Sequence, residues 1–258
     1  MGSDTTGSAV VTRRATGLVT TGCLTVLAVL IVVLGTVASW LWYRAWHDGK
    51  TNDERREAAY ASVRQQARDT ADETARALGT AGTTDADALT EVIWRHSEAP
   101  VITYDASRHE FTATAMSHAE YPRKAILHGG GPDMVSQCFV VAYTRHPGRA
   151  WTSRVSERAA DACRPGTGIS GAVDLARTRI ANMHTEDLTR AGVRKALDPT
   201  GQRRTYDVRS AAHEGDTATV SLLVTAPDAT TAQCYRFTRP VQDVSGPNPA
   251  TAVPALSC

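Results

Sequence analysis

The hydrophobic pattern of this chain changes period four times. Between Arg14 and Arg44 there is no charged residue, and within that gap residues 24–34 (LTVLAVLIVVL) are almost wholly apolar. A bilayer core of ~30 Å needs about 20 helical residues, so residues 15–43 are expected to form one transmembrane helix in contact with membrane lipid. Trp40, Trp42, Tyr43 and Trp46 follow at its C-terminal end, where amphipathic rings favour the headgroup layer. A buried core helix would not need so long an uninterrupted run. A cleaved signal sequence, with Thr36-Val37-Ala38 as its weak cleavage site, would carry a shorter one. Cys23 opens the apolar run where a lipoprotein acceptor would close it.

Beyond this run the period becomes helical and amphipathic. Residues 52–78 (NDERREAAYASVRQQARDTADETARAL) contain no Gly or Pro, and Tyr60, Val63, Ala67, Ala71 and Leu78 form a thin apolar stripe. Asn52 or Asp53 is the expected N-cap, Gly79 and Gly82 the stop, and a second short helix is expected over 85–96. From Pro100 the period falls to two. Residues 101–105, 109–116 and 134–143 read as strands, with a glycine-rich loop (Gly129, Gly130, Gly131) before the last. A turn is expected over 165–171, with Ser170 capping helical text that runs to about Leu197. Three more strands are expected at 204–210, 217–225 and 231–238. The tail 244–256 reads as Pro-rich and irregular.

The two strand sets resemble one another in order. Thr103-Tyr104-Asp105 matches Thr205-Tyr206-Asp207, His109-Glu110 matches His213-Glu214, and Thr112-Ala113-Thr114 matches Thr217-Ala218-Thr219. Gln137-Cys138 matches Gln233-Cys234, and Thr144-Arg145 matches Thr238-Arg239. The expected architecture is therefore α+β: one N-terminal transmembrane helix, then an extracytoplasmic domain of two α-β-β-β-like repeats with antiparallel sheet. The divisions are a short cytoplasmic tail (1–14), the span (15–43), a juxtamembrane helical region (44–98), a first β repeat (99–165) and a second α/β repeat (166–258). A unit of this kind cannot cover both faces of its own sheet, so two copies sharing a core, with a cleft between them, is the natural arrangement.

Cysteine usage adds the compartment. Cys138 and Cys163 are separated by 25 residues, Cys234 and Cys258 by 24. Four cysteines in matched pairs behind a membrane span indicate structural disulfides in an oxidising space. Three connectivities are open. Equal intervals favour pairing within each copy, and the rival joins Cys138 to Cys234. Flanking charge conflicts with this orientation. Arg13 and Arg14 precede the span while Arg44, Lys50, Arg55 and Arg56 follow it, which by the positive-inside bias would put the N-terminus outside. Long domains translocate largely regardless of such charges, so the N-terminus is expected inside and the C-terminal domain outside.

Charge and motifs mostly exclude. Removing Asp4, Arg13 and Arg14 from 28 basic and 27 acidic residues leaves 26 of each, which gives no electrostatic case for nucleic acid. The predominance of Arg over Lys suggests a GC-rich bacterial genome. A 14-residue tail would be too short to fold into a signalling domain, and a single span does not make a transporter. His128-Gly129-Gly130-Gly131 reproduces an oxyanion-loop pattern, and Ser170 is the nearest candidate nucleophile, but the flanking strand and the final glycine of the elbow are missing. Gly166, Gly168 and Gly171 fit a dinucleotide fingerprint without the strand that should precede it. His109 with Glu110, and His213 with Glu214, are adjacent residues that a strand points to opposite faces. No catalytic, cofactor-binding or metal-ligating residue is assigned, and no cofactor is expected. The expected function is a non-catalytic interaction or scaffold module of the bacterial cell envelope with protein partners. The alternatives are an anchored hydrolase built from strand loops and a small-ligand binder in the cleft between copies.

Overall fold

The computed structural model describes residues 12–124, 130–201, 204–241 and 249–258, with side chains from residue 24 onward. Helix α1 (Thr12–Thr80) is one uninterrupted element, followed by α2 (Ala86–Ser97). The apolar part of α1 is fully exposed, and the helix is long and apolar enough to cross a membrane. Asn52 does not cap a new helix as expected, because its side chain has another partner. Its amide donates to the Lys124 carbonyl (2.9 Å) and accepts from the Lys124 N–H (2.9 Å). Arg55 donates to the Pro122 carbonyl nearby (2.8 Å). These contacts lie within one of two compact bodies, formed by Met1–Glu57 and Tyr121–Asp133.

The second body comprises Ala58–Glu120 and Met134–Cys258. Apart from residues 121–122 and 132–133 at the tip of one hairpin, it holds two separate four-stranded antiparallel meanders. The first is β1 (Val101–Asp105), β2 (Glu110–Pro122), β3 (Pro132–Arg145) and β4 (Trp151–Arg158). The second is β5 (Tyr206–Glu214), β6 (Thr217–Thr225), β7 (Ala232–Pro240) and β8 (Thr251–Ala255). Each sheet buries one face under helices, because its strands alternate apolar and polar residues; β6 buries Ala218, Val220, Leu222 and Val224 in strict period two. The helical stripe Ala67, Ala71, Ala75 and Leu78 of α1 is buried. Ala71, Ala75 and Leu78 belong to one core with Leu89, Ile93, Ile102, Phe111, Tyr143 and Trp151. The second core joins Ile169, Val173, Ala176 and Ile180 to Leu222, Val224, Tyr235 and Phe237.

Each sheet has four strands where three were expected. β4 was obscured by its charged residues, although Trp151 is buried on it. β8 contains Pro254, which removes a ladder donor and is tolerated because β8 is an edge strand paired to β7 alone. The expected turn over 165–171 is instead the first half of α3 (Arg164–Ala181), entered through a 3-10 turn (Ala160–Cys163), with Pro165 in its first turn. Ser170 therefore sits inside the helix and caps nothing. The helical text then breaks before α4 (Arg190–Leu197), capped by the Thr189 hydroxyl, which accepts from the Gly192 N–H.

The glycines of α3 serve close approach. A Cβ on Gly168 would lie 2.6 Å from Pro227 Cδ, and one on Gly166 3.1 Å from Pro100 Cγ, whereas one on Gly171 would meet nothing within 4 Å. Helix propensity alone favours alanine over glycine by about 1 kcal/mol at each position. Gly171→Ala should therefore raise stability by about 0.5–1 kcal/mol. Gly168→Ala should instead lower it by about 1–3 kcal/mol, since the ring of Pro227 cannot rotate away. Urea unfolding of the disulfide-intact protein separates the two; equal and stabilising effects would show that the contact with Pro227 is loose.

Candidate functional site

The two halves of the larger body meet along edge strand β1, and three hydrogen bonds define the joint. The Gln233 side chain, buried on β7, accepts the outward N–H of Ile102 through its carbonyl oxygen (3.1 Å). Its NH2 group donates to the carbonyls of Ala255 on β8 (2.7 Å) and Cys234 (3.3 Å). The Tyr235 hydroxyl donates to the Pro100 carbonyl (2.6 Å), and the Leu256 N–H donates to the Asp87 carboxylate (2.8 Å). Beside this joint lies an open cleft of about 620 Å³, bounded by Ile102, Tyr104, Leu223, Gln233 and Leu256. Its one charged lining residue is Arg209, which pairs with Asp207 at 3.1 Å. Thr103 and Tyr104 add polar surface to the cleft, while the Gln233 amide is engaged at the joint on both its oxygen and its nitrogen.

The disulfides are Cys138–Cys163 and Cys234–Cys258. Each ties the third strand of its sheet to the chain just after the fourth. Closing loops of 25 and 24 residues is worth roughly 3 kcal/mol apiece in the chain-entropy model. Gln137 repeats the arrangement of Gln233: its NH2 group donates to the carbonyls of Arg158 on β4 (2.8 Å) and Cys138 (3.4 Å).

The other matched residues fall out differently. Tyr104 is near the turn end of β1, opposite Phe111, while Tyr206 opens β5 at the end remote from its turn, opposite Val224. Both rings are half-buried with bonded hydroxyls, Tyr104 to His109 Nδ1 (3.4 Å) and Tyr206 to the Ala172 carbonyl (2.9 Å), but the positions are not equivalent. His109 is exposed in a left-handed conformation (φ 49°), and Glu110 accepts from the Thr144 hydroxyl (3.1 Å). His213 contacts the Leu188 carbonyl (3.2 Å), and Glu214 ends its strand in solvent. The His-Glu pairs are thus engaged with different neighbours. Ser170 lines a cavity of about 280 Å³ with His118 and Glu98, a grouping that no sequence motif indicated. No hydrogen bond links the three. His128 and Gly129 lie outside the described residues. No cluster of three metal-ligating side chains occurs among the described residues. No protein-family model matches the chain, and comparisons with curated proteins and with solved structures found no match.

Burial governs the electrostatics here. It pushes the Tyr235 phenol far above the ordinary tyrosine value of 10.0, and the Asp174 carboxylate acts in the same direction. Burial also raises Tyr143, with the Thr74 hydroxyl pulling partly the other way. Both phenols stay neutral in the fold at pH values where an unfolded chain would ionise. Below the unfolded value their contribution is intact; as pH climbs above about 10, stability should fall by up to ~1.4 kcal/mol per pH unit per tyrosine. Tyr235→Phe loses the bond to Pro100 and should cost about 1–2 kcal/mol at neutral pH. That deficit should narrow in melts recorded above about pH 10, and a pH-independent deficit would show that Tyr235 ionises as readily in the fold as outside it.

Removal of the joint amide provides a second test. Gln233→Ala leaves the buried Ile102 N–H and Ala255 carbonyl without a partner and should cost about 2–4 kcal/mol. Gln137→Ala, at a partly exposed position, should cost under about 1 kcal/mol. Comparable losses in denaturant titrations would place the joint elsewhere.

Proposed function

We propose that the chain is a single-pass membrane protein of a bacterial envelope. Residues 15–43 cross the bilayer, the N-terminus is inside, and the C-terminal α+β part is a non-catalytic interaction or scaffold module outside. The observation that carries this reading is the composition of α1. One helix contains both the exposed apolar segment and the stripe Ala71, Ala75 and Leu78 that fills the core of the first sheet. The proposed anchor and part of the domain core thus belong to the same helical element. That suits a protein whose task is to hold or contact neighbours at the membrane. The two disulfides support an oxidising compartment. The same pair of bonds, with the Gln137 and Gln233 side chains placed alike beside them, supports an origin of the two halves by duplication.

The enzyme alternative rests on Ser170, which shares its cavity with His118 and Glu98. A hydrolase would need Ser170 within hydrogen-bond reach of a base, and the three residues make no such bond. The binding alternative rests on the cleft beside Gln233, where Thr103, Tyr104 and Arg209 stand among the apolar residues Ile102, Leu223 and Leu256.

Protease added to intact cells should degrade the chain beyond Trp46. Cross-linking in membranes followed by mild solubilisation should recover envelope proteins in a constant ratio to the chain. Complete protection of the C-terminal part would overturn the topology. A chain that purifies alone under every cross-linker, or labelling by a fluorophosphonate that Ser170→Ala abolishes, would overturn the scaffold role.

A further inference from the structure

A pocket of about 350 Å³ opens at the turn end of the first sheet, where the β1–β2 and β3–β4 turns meet the segment leading into α2. Its apolar wall is Trp151 and Leu89, both buried, so the indole presents a fixed surface. Around it stand Arg145, His109, His146 and Tyr104. The Arg145 guanidinium lies 6.0 Å from the Trp151 ring centroid. Among the described residues it has no carboxylate partner, whereas Arg64, Arg95, Arg108, Arg177 and Arg209 each have one. No acidic side chain lines the pocket. The closest acidic neighbours in sequence have other partners: Asp105 accepts from Ser107 and Arg108, Glu110 from Thr144, and Asp85 caps α2. Arg149 adds another cation in the adjoining cavity that Arg145 and Trp151 also line.

His109 contributes through its backbone as well. It holds a left-handed conformation (φ 49°) that non-glycine residues seldom adopt, and its carbonyl accepts the Arg145 N–H (3.3 Å). The Tyr104 hydroxyl meets its Nδ1 at 3.4 Å, and the Tyr104 ring stacks on Phe111 at 4.4 Å. The two rings on the rim are thus tied to each other and to the core. A forked guanidinium and imidazole donors beside a buried indole match a planar anion attached to an apolar ring or short chain. The volume lies at the lower end of the range for small-molecule pockets.

We propose that this pocket is a binding site for a small organic anion, a carboxylate or phosphate monoester on an apolar body. Arg145 pairs with the anionic group, and Trp151 and Leu89 pack against the body. The proposal stands apart from the scaffold role, since the site uses neither the membrane segment nor the joint between the halves.

The test uses the full chain in phosphatidylcholine nanodiscs, with empty nanodiscs as the blank. Phenylacetate and phenyl phosphate serve as the two anionic probes and phenethylamine as the cationic control, each followed by isothermal titration. Saturable binding of at least one anion, with none of the amine, is expected, and the stronger probe identifies carboxylate or phosphate as the preferred group. Arg145→Gln, an exposed substitution that leaves the core intact, should weaken that binding by roughly tenfold or more. Absence of saturable heat with both anions, equal binding of the amine, or unchanged affinity in the Arg145→Gln protein would each overturn the proposal.

Discussion

A sheet edge brought against another layer must have its outward backbone groups satisfied, and in this chain that constraint is met by one amide. β1 is an edge strand, and the outward N–H of Ile102 would be left without a partner at the junction of the two halves. Gln233 accepts it while donating to β8 and to its own strand. A buried amide engaged on both its oxygen and its nitrogen is more valuable than its individual bonds suggest, because removal exposes several groups at once to a medium that cannot hydrate them. Other contacts at the joint rest on the register this amide imposes. Tyr235 lies two residues along β7 and reaches Pro100, just before β1. Leu256 follows the strand to which Gln233 donates and meets the carboxylate of Asp87 on α2. The Cys234–Cys258 bond then keeps the terminal segment at that register.

The same amide explains which sequence matches carried structural information. A glutamine preceding a cysteine occurs twice, and both glutamines bridge the third and fourth strands of their sheets, beside disulfides of the same topology. Such positions have a geometric requirement: the side chain must reach across to a neighbouring carbonyl while the next residue reaches a sulfur. The Tyr-Asp match has no shared requirement. One tyrosine lies at the turn end of its hairpin and the other at the opposite end, so their likeness reflects what strand margins tolerate.

Much of the architecture was legible from period alone. β1 and β6 have the expected ends, because a change of period and a turn residue coincide there, and α2 begins after Asp85 as its capping chemistry demands. The parts that were not legible share a physical cause, namely that tertiary contact outweighed local preference. Gly166 and Gly168 read as a turn, yet they stand in a helix because Pro100 and Pro227 approach where a side chain would stand. Asn52 reads as a cap, yet it is held mid-helix by the backbone of Lys124. β8 reads as irregular because of Pro254, which an edge position accommodates. Of the candidate chemistry, the grouping of Ser170 with His118 and Glu98 left no local signature, since its members come from α3, β2 and the end of α2.

Net charge was the least informative feature at the level where function is decided. Near-equal numbers of cations and anions exclude a strongly basic face as a whole-molecule property, but they do not determine how the charges pair. On the helices several arginines find carboxylates three or four residues away, as with Arg177 and Asp174 or Arg95 and Glu91. The β3–β4 turn has no such option. Its sequence, Arg145-His146-Pro147-Gly148-Arg149, contains no acid, and the antiparallel register sets it beside Trp151 and across from His109. Local composition at a turn, combined with a hairpin register that brings a second turn alongside, concentrates positive charge over an aromatic surface in a chain whose net charge is only +1. The field at such a spot is set by neighbours within a Debye length of about 10 Å, so distant carboxylates do little to cancel it. That is the physical reason a neutral domain can still present one site selective for anions.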